Sequence, residues 1–263
     1  MEAIQGIHKW LAKAGRLESM VCRSGWGARL EAERPAAQRK NMSRIVCKFG
    51  GSSVADAGQF RKIKNIVSAN AKRKVVVVSA PGKRNPKETK LTDLLYSTYD
   101  LASKHLDFSE PWNLIRSRYL EICSDLGIEP KVAEDLDLLE KQLRDDVESI
   151  TTDYLVSRGE YLSARVMSVY LGAEFVDTFP IITFDEKYRI LPSSYEVIAK
   201  ALSDEDKLYV LPGFYGSNAR GELKTFSRGG SDITGAILAN AIDADTYENW
   251  TDVSGMLMAD PRI

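Results

Sequence analysis

The sequence predicts an α/β protein: a mainly parallel sheet with helices on both of its faces. Three observations carry this expectation. Strand-like and helix-like periodicities alternate from Ile45 onward, the order that builds parallel sheets. Residues 74–80 include the unbroken apolar run Val75-Val76-Val77-Val78, as expected of a strand covered on both sides. Paired glycines also stand just ahead of helical patterns, at Gly50-Gly51 and Gly229-Gly230.

Taken in order, Ile45-Val46-Cys47-Lys48-Phe49 reads as the first strand and Gly50-Gly51-Ser52-Ser53 as its turn. The helix that follows carries Phe60, Ile63, Ile66 and Val67 on one face. After the 74–80 strand comes a polar, charged loop over 81–90, and Thr92-Asp93-Leu94-Leu95 opens another helix. Helical spacing holds from 112 to 156, with Ile115, Tyr119, Ile122 and Leu126 in one stripe and Leu136, Leu139, Leu143 and Val147 in another. Such stripes are packing faces. A further helix over about 154–171 carries Ser157-Arg158-Gly159-Glu160. Strand signals return at 174–178 and 207–211, with a helix over 194–202 between them. The Ser227-Arg228-Gly229-Gly230-Ser231-Asp232 turn leads into a helix through Ile233, Ile237, Leu238 and Ala241, and a short strand over 247–251 ends at Asp252-Val253-Ser254-Gly255.

Residues 1–41 stand apart. They hold eight basic side chains against Glu2, Glu18, Glu31 and Glu33. They lack a signal-peptide apolar core, and their acidic residues argue against a transit peptide. The expectation is a poorly ordered basic leader over 1–41, with a basic binding arm as its rival, and one catalytic domain over 42–263. At 44% hydrophobic, 263 residues suffice for a full core. A net charge of -1 supplies no global field for nucleic acid, and no apolar run reaches the ~20 residues needed to span a bilayer. Cys22, Cys47 and Cys123 match neither a disulfide framework nor a zinc site. A cytoplasmic protein is the simplest expectation.

The informative local feature occurs twice. Lys48-Phe49-Gly50-Gly51-Ser52 and Arg228-Gly229-Gly230-Ser231-Asp232 each set a cation beside paired glycines at the start of a helix. Glycine lets backbone N–H groups come close to a ligand, and a helix start adds unpaired donors and partial positive charge. Two such turns suit a reaction between two anions, although paired glycines also make ordinary tight turns. Neither turn is a P-loop or a dinucleotide fingerprint, and no protein-kinase catalytic loop is present.

Val46-Cys47-Lys48-Phe49-Gly50-Gly51-Ser52-Ser53-Val54 closely resembles the signature of the aspartate kinases. Val78-Ser79-Ala80, Thr92-Asp93-Leu94-Leu95, Ser157-Arg158-Gly159-Glu160, Pro212-Gly213-Phe214, the Arg228 turn and Trp250-Thr251-Asp252-Val253-Ser254-Gly255 resemble further motifs of that family, in its order. The resemblance implies the amino-acid kinase fold, a three-layer α/β/α sandwich with a mainly parallel central sheet. It implies transfer of the γ-phosphate of ATP, with Mg²⁺, to the side-chain carboxylate of L-aspartate, the first step of lysine, threonine and methionine biosynthesis. Relatives of this kind are homo-oligomers built through ACT domains. Their catalytic domain runs past the Asp260-Pro261-Arg262 segment, so an incomplete domain without ACT modules is expected here.

The resemblance also implies roles. Lys48 with the Gly50, Gly51 and Ser52 backbone holds the transferring phosphoryl group. Arg228 grips the α-carboxylate, which a planar guanidinium matches at two points. Glu160 and Asp232 accept from the α-ammonium. Ser79, Thr92, Phe214 and Ser231 line the amino-acid pocket, while Thr251, Asp252 and Arg262 belong to the nucleotide side. The plainer readings are a strand-end lysine for Lys48, a solvated surface glutamate for Glu160 and a helix cap for Thr92. A carboxylate nucleophile, with an ordinary pKa near ~3.9, is already ionised at neutral pH and needs no base. His8 and His105 lie outside every motif, and no residue is named as a metal ligand. The rivals are a glutamate or UMP kinase of the same fold, a non-catalytic fragment that binds ligand or a partner chain, and an NAD-linked oxidoreductase that has only the α/β alternation behind it.

Overall fold

The computed structural model describes residues 43–226 and 229–251. Five strands form one parallel sheet in the order β3-β5-β2-β1-β8: β1 (Ile45–Phe49), β2 (Arg73–Val78), β3 (Glu174–Phe175), β5 (Tyr209–Pro212) and β8 (Thr246–Trp250). Side chains alternate across a strand, so each strand feeds two cores. Cys47, Phe49, Val76, Val78 and Val210 face α1 (Ala57–Ser68), α2 (Leu91–Ser103), α3 (Ser109–Leu126), α4 (Val132–Asp145) and α5 (Thr152–Leu171). Val46, Val75, Val77, Tyr209 and Leu211 face α6 (Pro192–Ala201) and α7 (Gly230–Ala241). The unbroken valine run of β2 thus has its cause: all four side chains are fully covered, alternately from either side. This is the expected three-layer arrangement.

The helix faces read from spacing are buried largely as expected. Phe60, Ile63 and Val67 pack from α1, Ile115, Tyr119 and Ile122 from α3, and Leu136, Leu139 and Leu143 from α4. Thr151 caps α5 by accepting from the Tyr154 N–H. The strand expected over 174–178 is only two residues long, because the Asp177 side chain turns the chain by accepting from the Phe179 N–H.

A second sheet was not anticipated. β4 (Thr183–Phe184), β6 (Tyr215–Asn218) and β7 (Leu223–Thr225) pair in the order β4-β6-β7, with β6 and β7 antiparallel. β6 leaves β5 through Gly213 and Phe214, and Phe214 has φ 81. A bulky residue there is strained by about 1–3 kcal/mol. Its N–H donates to Thr234 Oγ1 and its carbonyl accepts from the Phe226 N–H, so the conformation is held from both sides.

Candidate active site

The strand ends of the large sheet are in register. Phe49 pairs with Val78 and with Trp250, and Val78 pairs with Pro212. The ladder continues one residue beyond: Gly213 N–H donates to Val78, Ser79 to Phe49 and Gly50 to Trp250. Gly213, Ser79, Gly50 and Thr251 therefore stand in a row, about 4.8 Å apart from strand to strand. Four of the singled-out motifs meet on this one edge.

Lys48 leads into the row from β1. It is 7% exposed, and its ammonium lies above the glycine turn, where a methyl on Gly50 would stand 3.6 Å from Nζ. Lys48 Nζ pairs with Asp232 Oδ1 at 2.5 Å. Asp232 sits in the first turn of α7, whose start is set by Gly229 at φ 80. That helix end is pressed onto the row by missing side chains. A Cβ on Gly213 would come within 2.6 Å of Ser231 Oγ, and one on Gly230 within 2.8 Å of the Phe214 ring. Thr234 donates to the Gly230 carbonyl and Tyr247 to the Asp232 carbonyl, which fixes the turn. Ser52 and Ser79 are partly buried and Ser231 is buried.

Glu160 enters from the opposite side. Gly159 lets α5 approach closely, since a Cβ there would lie 2.8 Å from the Ala80 methyl and 3.2 Å from Leu91 and Leu95. The neighbouring Glu160 is only 5% exposed, which removes the surface-glutamate reading. Burial pushes its carboxyl up to about 8, although the Ala80 N–H and Arg158 pull the other way. Its Oε2 is sealed from solvent with no hydrogen-bond partner among the described residues. An unpaired buried carboxyl oxygen is costly unless a ligand completes it.

Thr92 lies in the first turn of α2, next to the Leu91 that packs on Gly159, and the N-cap position belongs to Lys90, so Thr92 is not the cap. Thr251 follows β8 and is exposed. Arg228, Asp252 and Arg262 lie outside the described residues. Among the described residues no cluster of His, Cys, Asp or Glu has the make-up of a metal site, and no helix is long and apolar enough to cross a membrane. A hollow of about 400 Å³ opens elsewhere, between α4 and α5, but the Arg158 on its wall is already boxed by Tyr154, Tyr161 and Tyr215.

Sequence reasoning missed Gly82, Thr234 and Tyr247. Gly82 N–H donates to the Gly51 carbonyl at 2.8 Å, and a Cβ on Gly82 would fall 2.7 Å from the Gly51 carbonyl carbon. The one signal available was the Pro81-Gly82 pair a few residues past the β2 strand end. Thr234 and Tyr247 look like ordinary helix and strand residues, and no local pattern marks them.

Comparisons with known proteins agree with this fold. Aspartokinase 3 of Bacillus subtilis is 37% identical over 231 residues, covering 83% of this chain and 50% of the relative. A crystal structure of Clostridium acetobutylicum aspartate kinase superposes with a TM-score of 0.77 at 46% identity, covering 84% of this chain and 51% of that one. Escherichia coli aspartokinase III in complex with aspartate and ADP gives a TM-score of 0.68 at 28% identity, covering 83% and 51%. The chain thus spans about half the length of the relatives it matches. The model of the amino acid kinase family matches residues 43–263, the segment that carries both glycine turns and the strand-end row, and the chain belongs to that family.

Proposed function

We propose that this chain carries the catalytic site of an aspartate kinase, which transfers the γ-phosphoryl group of ATP to the side-chain carboxylate of L-aspartate. The observation that carries the reading is the pairing of two features across one row of strand ends. A glycine turn topped by the Lys48 ammonium lies on one side, and the buried, incompletely bonded Glu160 lies on the other. The relatives' names and the aspartate and ADP bound to the Escherichia coli enzyme support it.

In this reading Lys48 Nζ and the N–H groups of residues 50–52 hold the transferring phosphoryl group. Fixed donors and a cation stabilise the charge that spreads over its oxygens. Glu160 and Asp232 take the α-ammonium of the amino acid and Arg228 its α-carboxylate, leaving the side-chain carboxylate toward the phosphorus. A carboxylate oxygen forms the new bond to phosphorus as the bond to the β-phosphate oxygen breaks, and ADP leaves with that electron pair. No proton is moved, so no base is required. Ser79, Thr92, Phe214 and Ser231 shape the amino-acid side, and Thr251, Asp252 and Arg262 the nucleotide side. Mg²⁺ would come as part of the ATP substrate, held by its phosphates and not by a residue assigned here, and would offset part of their charge.

The test is ADP release by the purified chain with ATP and Mg²⁺ in the presence of L-aspartate, L-glutamate or UMP. The proposal expects release that depends on L-aspartate. Release driven by glutamate or UMP in its place, or binding of aspartate without turnover, would contradict it.

A further inference from the structure

Behind the glycine turn sits a buried cation that no motif singles out. Arg118 projects from α3 and is 9% exposed. Its Nη1 donates to the Gly82 carbonyl at 3.2 Å and to the Ala55 carbonyl at 3.4 Å. Its Nη2 pairs with Glu88 Oε2 at 2.7 Å, and its Nε is sealed from solvent with no acceptor among the described residues. These contacts join two separate loops. Ala55 closes the 3-10 turn Gly51–Val54, which continues the Lys48 glycine turn. Gly82 and Glu88 belong to the 81–90 loop, which runs from Ser79-Ala80 to the first turn of α2. The loops touch where the Gly82 N–H meets the Gly51 carbonyl.

Glu88 is the second half of the device. It accepts from the Arg84 backbone N–H at 2.8 Å and from Arg84 Nε at 2.6 Å, while Arg84 reaches Glu121, one helical turn beyond Arg118. Burial alone would raise the Glu88 carboxyl, but Arg84 and Arg118 outweigh it and hold it down at about 2. The pair is therefore charged throughout the neutral range.

We propose that Arg118 and Glu88 are positioning residues that hold the glycine turn and the 81–90 loop in one register, so that the phosphoryl-side and amino-acid-side loops move as a unit. An ion pair this far withdrawn from solvent contributes little to stability over apolar packing of the same volume, and here Arg118 also binds loop carbonyls instead of packing between helices. Its geometric consequence runs through a planar trans peptide. Anchoring the Gly51 carbonyl on Gly82 aims the Ser52 N–H the opposite way, so the orientation of that donor depends on the clamp.

The catalytic part of the inference rests on the proposed kinase reading; the clamp itself does not. Amide hydrogen exchange on the ligand-free full chain decides the clamp. Arg118→Met should speed exchange at least about tenfold in both the 51–55 and the 81–90 segments, with the amides of β2 and α5 unchanged. Glu88→Gln, closer to the surface, should do the same more weakly, and the double variant should be no worse than Arg118→Met because the two act as one unit. Glu88→Gln carries the test by itself if Arg118→Met does not fold. Exchange that rises in one loop only, everywhere, or nowhere overturns the clamp. For turnover, a misplacement on the 1 Å scale predicts a kcat lower by about ten- to a hundredfold, with KM for the amino acid nearly unchanged and partial recovery in Arg118→Lys. An unchanged kcat in a variant with loosened loops overturns the positioning role. A wild-type chain with no aspartate-dependent turnover overturns the kinase reading, while the exchange data still decide the clamp.

Discussion

Replacing Glu160 by glutamine should make the protein more stable as the pH rises, relative to wild type. Glu160 is 5% exposed, its Oε2 has no partner among the described residues, and burial raises its carboxyl from 4.5 to about 8. Over the interval between those values the folded chain keeps a proton that the unfolded chain has released. The native state then binds more protons, so stability falls with rising pH. Each pH unit in that window removes about 1.4 kcal/mol, or about 3 kcal/mol between pH 5 and pH 7. Glu160→Gln keeps the shape and cannot ionise, so that part of the slope disappears. Urea unfolding of both proteins at several pH values measures the difference directly, because all other titrating groups are shared. The expected result is a gap in favour of the variant that widens by about 3 kcal/mol from pH 5 to pH 7. Profiles that stay parallel would refute the claim that burial raises the Glu160 carboxyl.

The same carboxyl should report on its ligand. With a pKa of about 8 it is mostly protonated at pH 7, and an ammonium delivered to Oε2 favours the charged form. L-aspartate binding at pH 7 should therefore release close to one proton. Calorimetry in two buffers of different ionisation enthalpy should detect the release, and Glu160→Gln should abolish it. Gly159→Ala sets a methyl 2.8 Å from the Ala80 methyl. It should destabilise by about 1–3 kcal/mol in urea unfolding and raise the KM for L-aspartate by pushing Glu160 off the Ala80 N–H.

The parts legible in the sequence were those written in local pattern. The valines of β2 announced a strand buried on both faces, and the stripes of α1, α3 and α4 announced their packing faces. The β4-β6-β7 sheet was not legible. Its strands are two to four residues long, all three include residues only half-covered, and Tyr215-Gly216-Ser217-Asn218 reads as a turn as readily as a strand. Its pairing exists because Phe214 takes a left-handed backbone, which sequence periodicity does not signal. In the site, Lys48 and the glycine turns stood out because cations beside paired glycines are uncommon. The burial of Glu160 was invisible from a helix of mixed composition; it comes from the missing Cβ of Gly159 and the close approach to Ala80. Arg118 and Glu88 were missed because a charged residue on an amphipathic helix or in a charged loop looks solvated. Their burial arises only when the 81–90 loop folds back onto α3.

The central claim is that the Lys48 turn with Asp232, and Glu160 across the strand-end row, serve one transfer of phosphate to a carboxylate. Hydroxylamine converts an acyl phosphate into a stable hydroxamate, so trapping the product tests that claim most directly. Wild-type chain with ATP, Mg²⁺ and L-aspartate should yield aspartyl hydroxamate. Lys48→Met should yield about 10²–10³-fold less while still binding L-aspartate. Hydroxamate formed at the wild-type rate by Lys48→Met, or ADP produced by the wild type with no hydroxamate, would contradict the account.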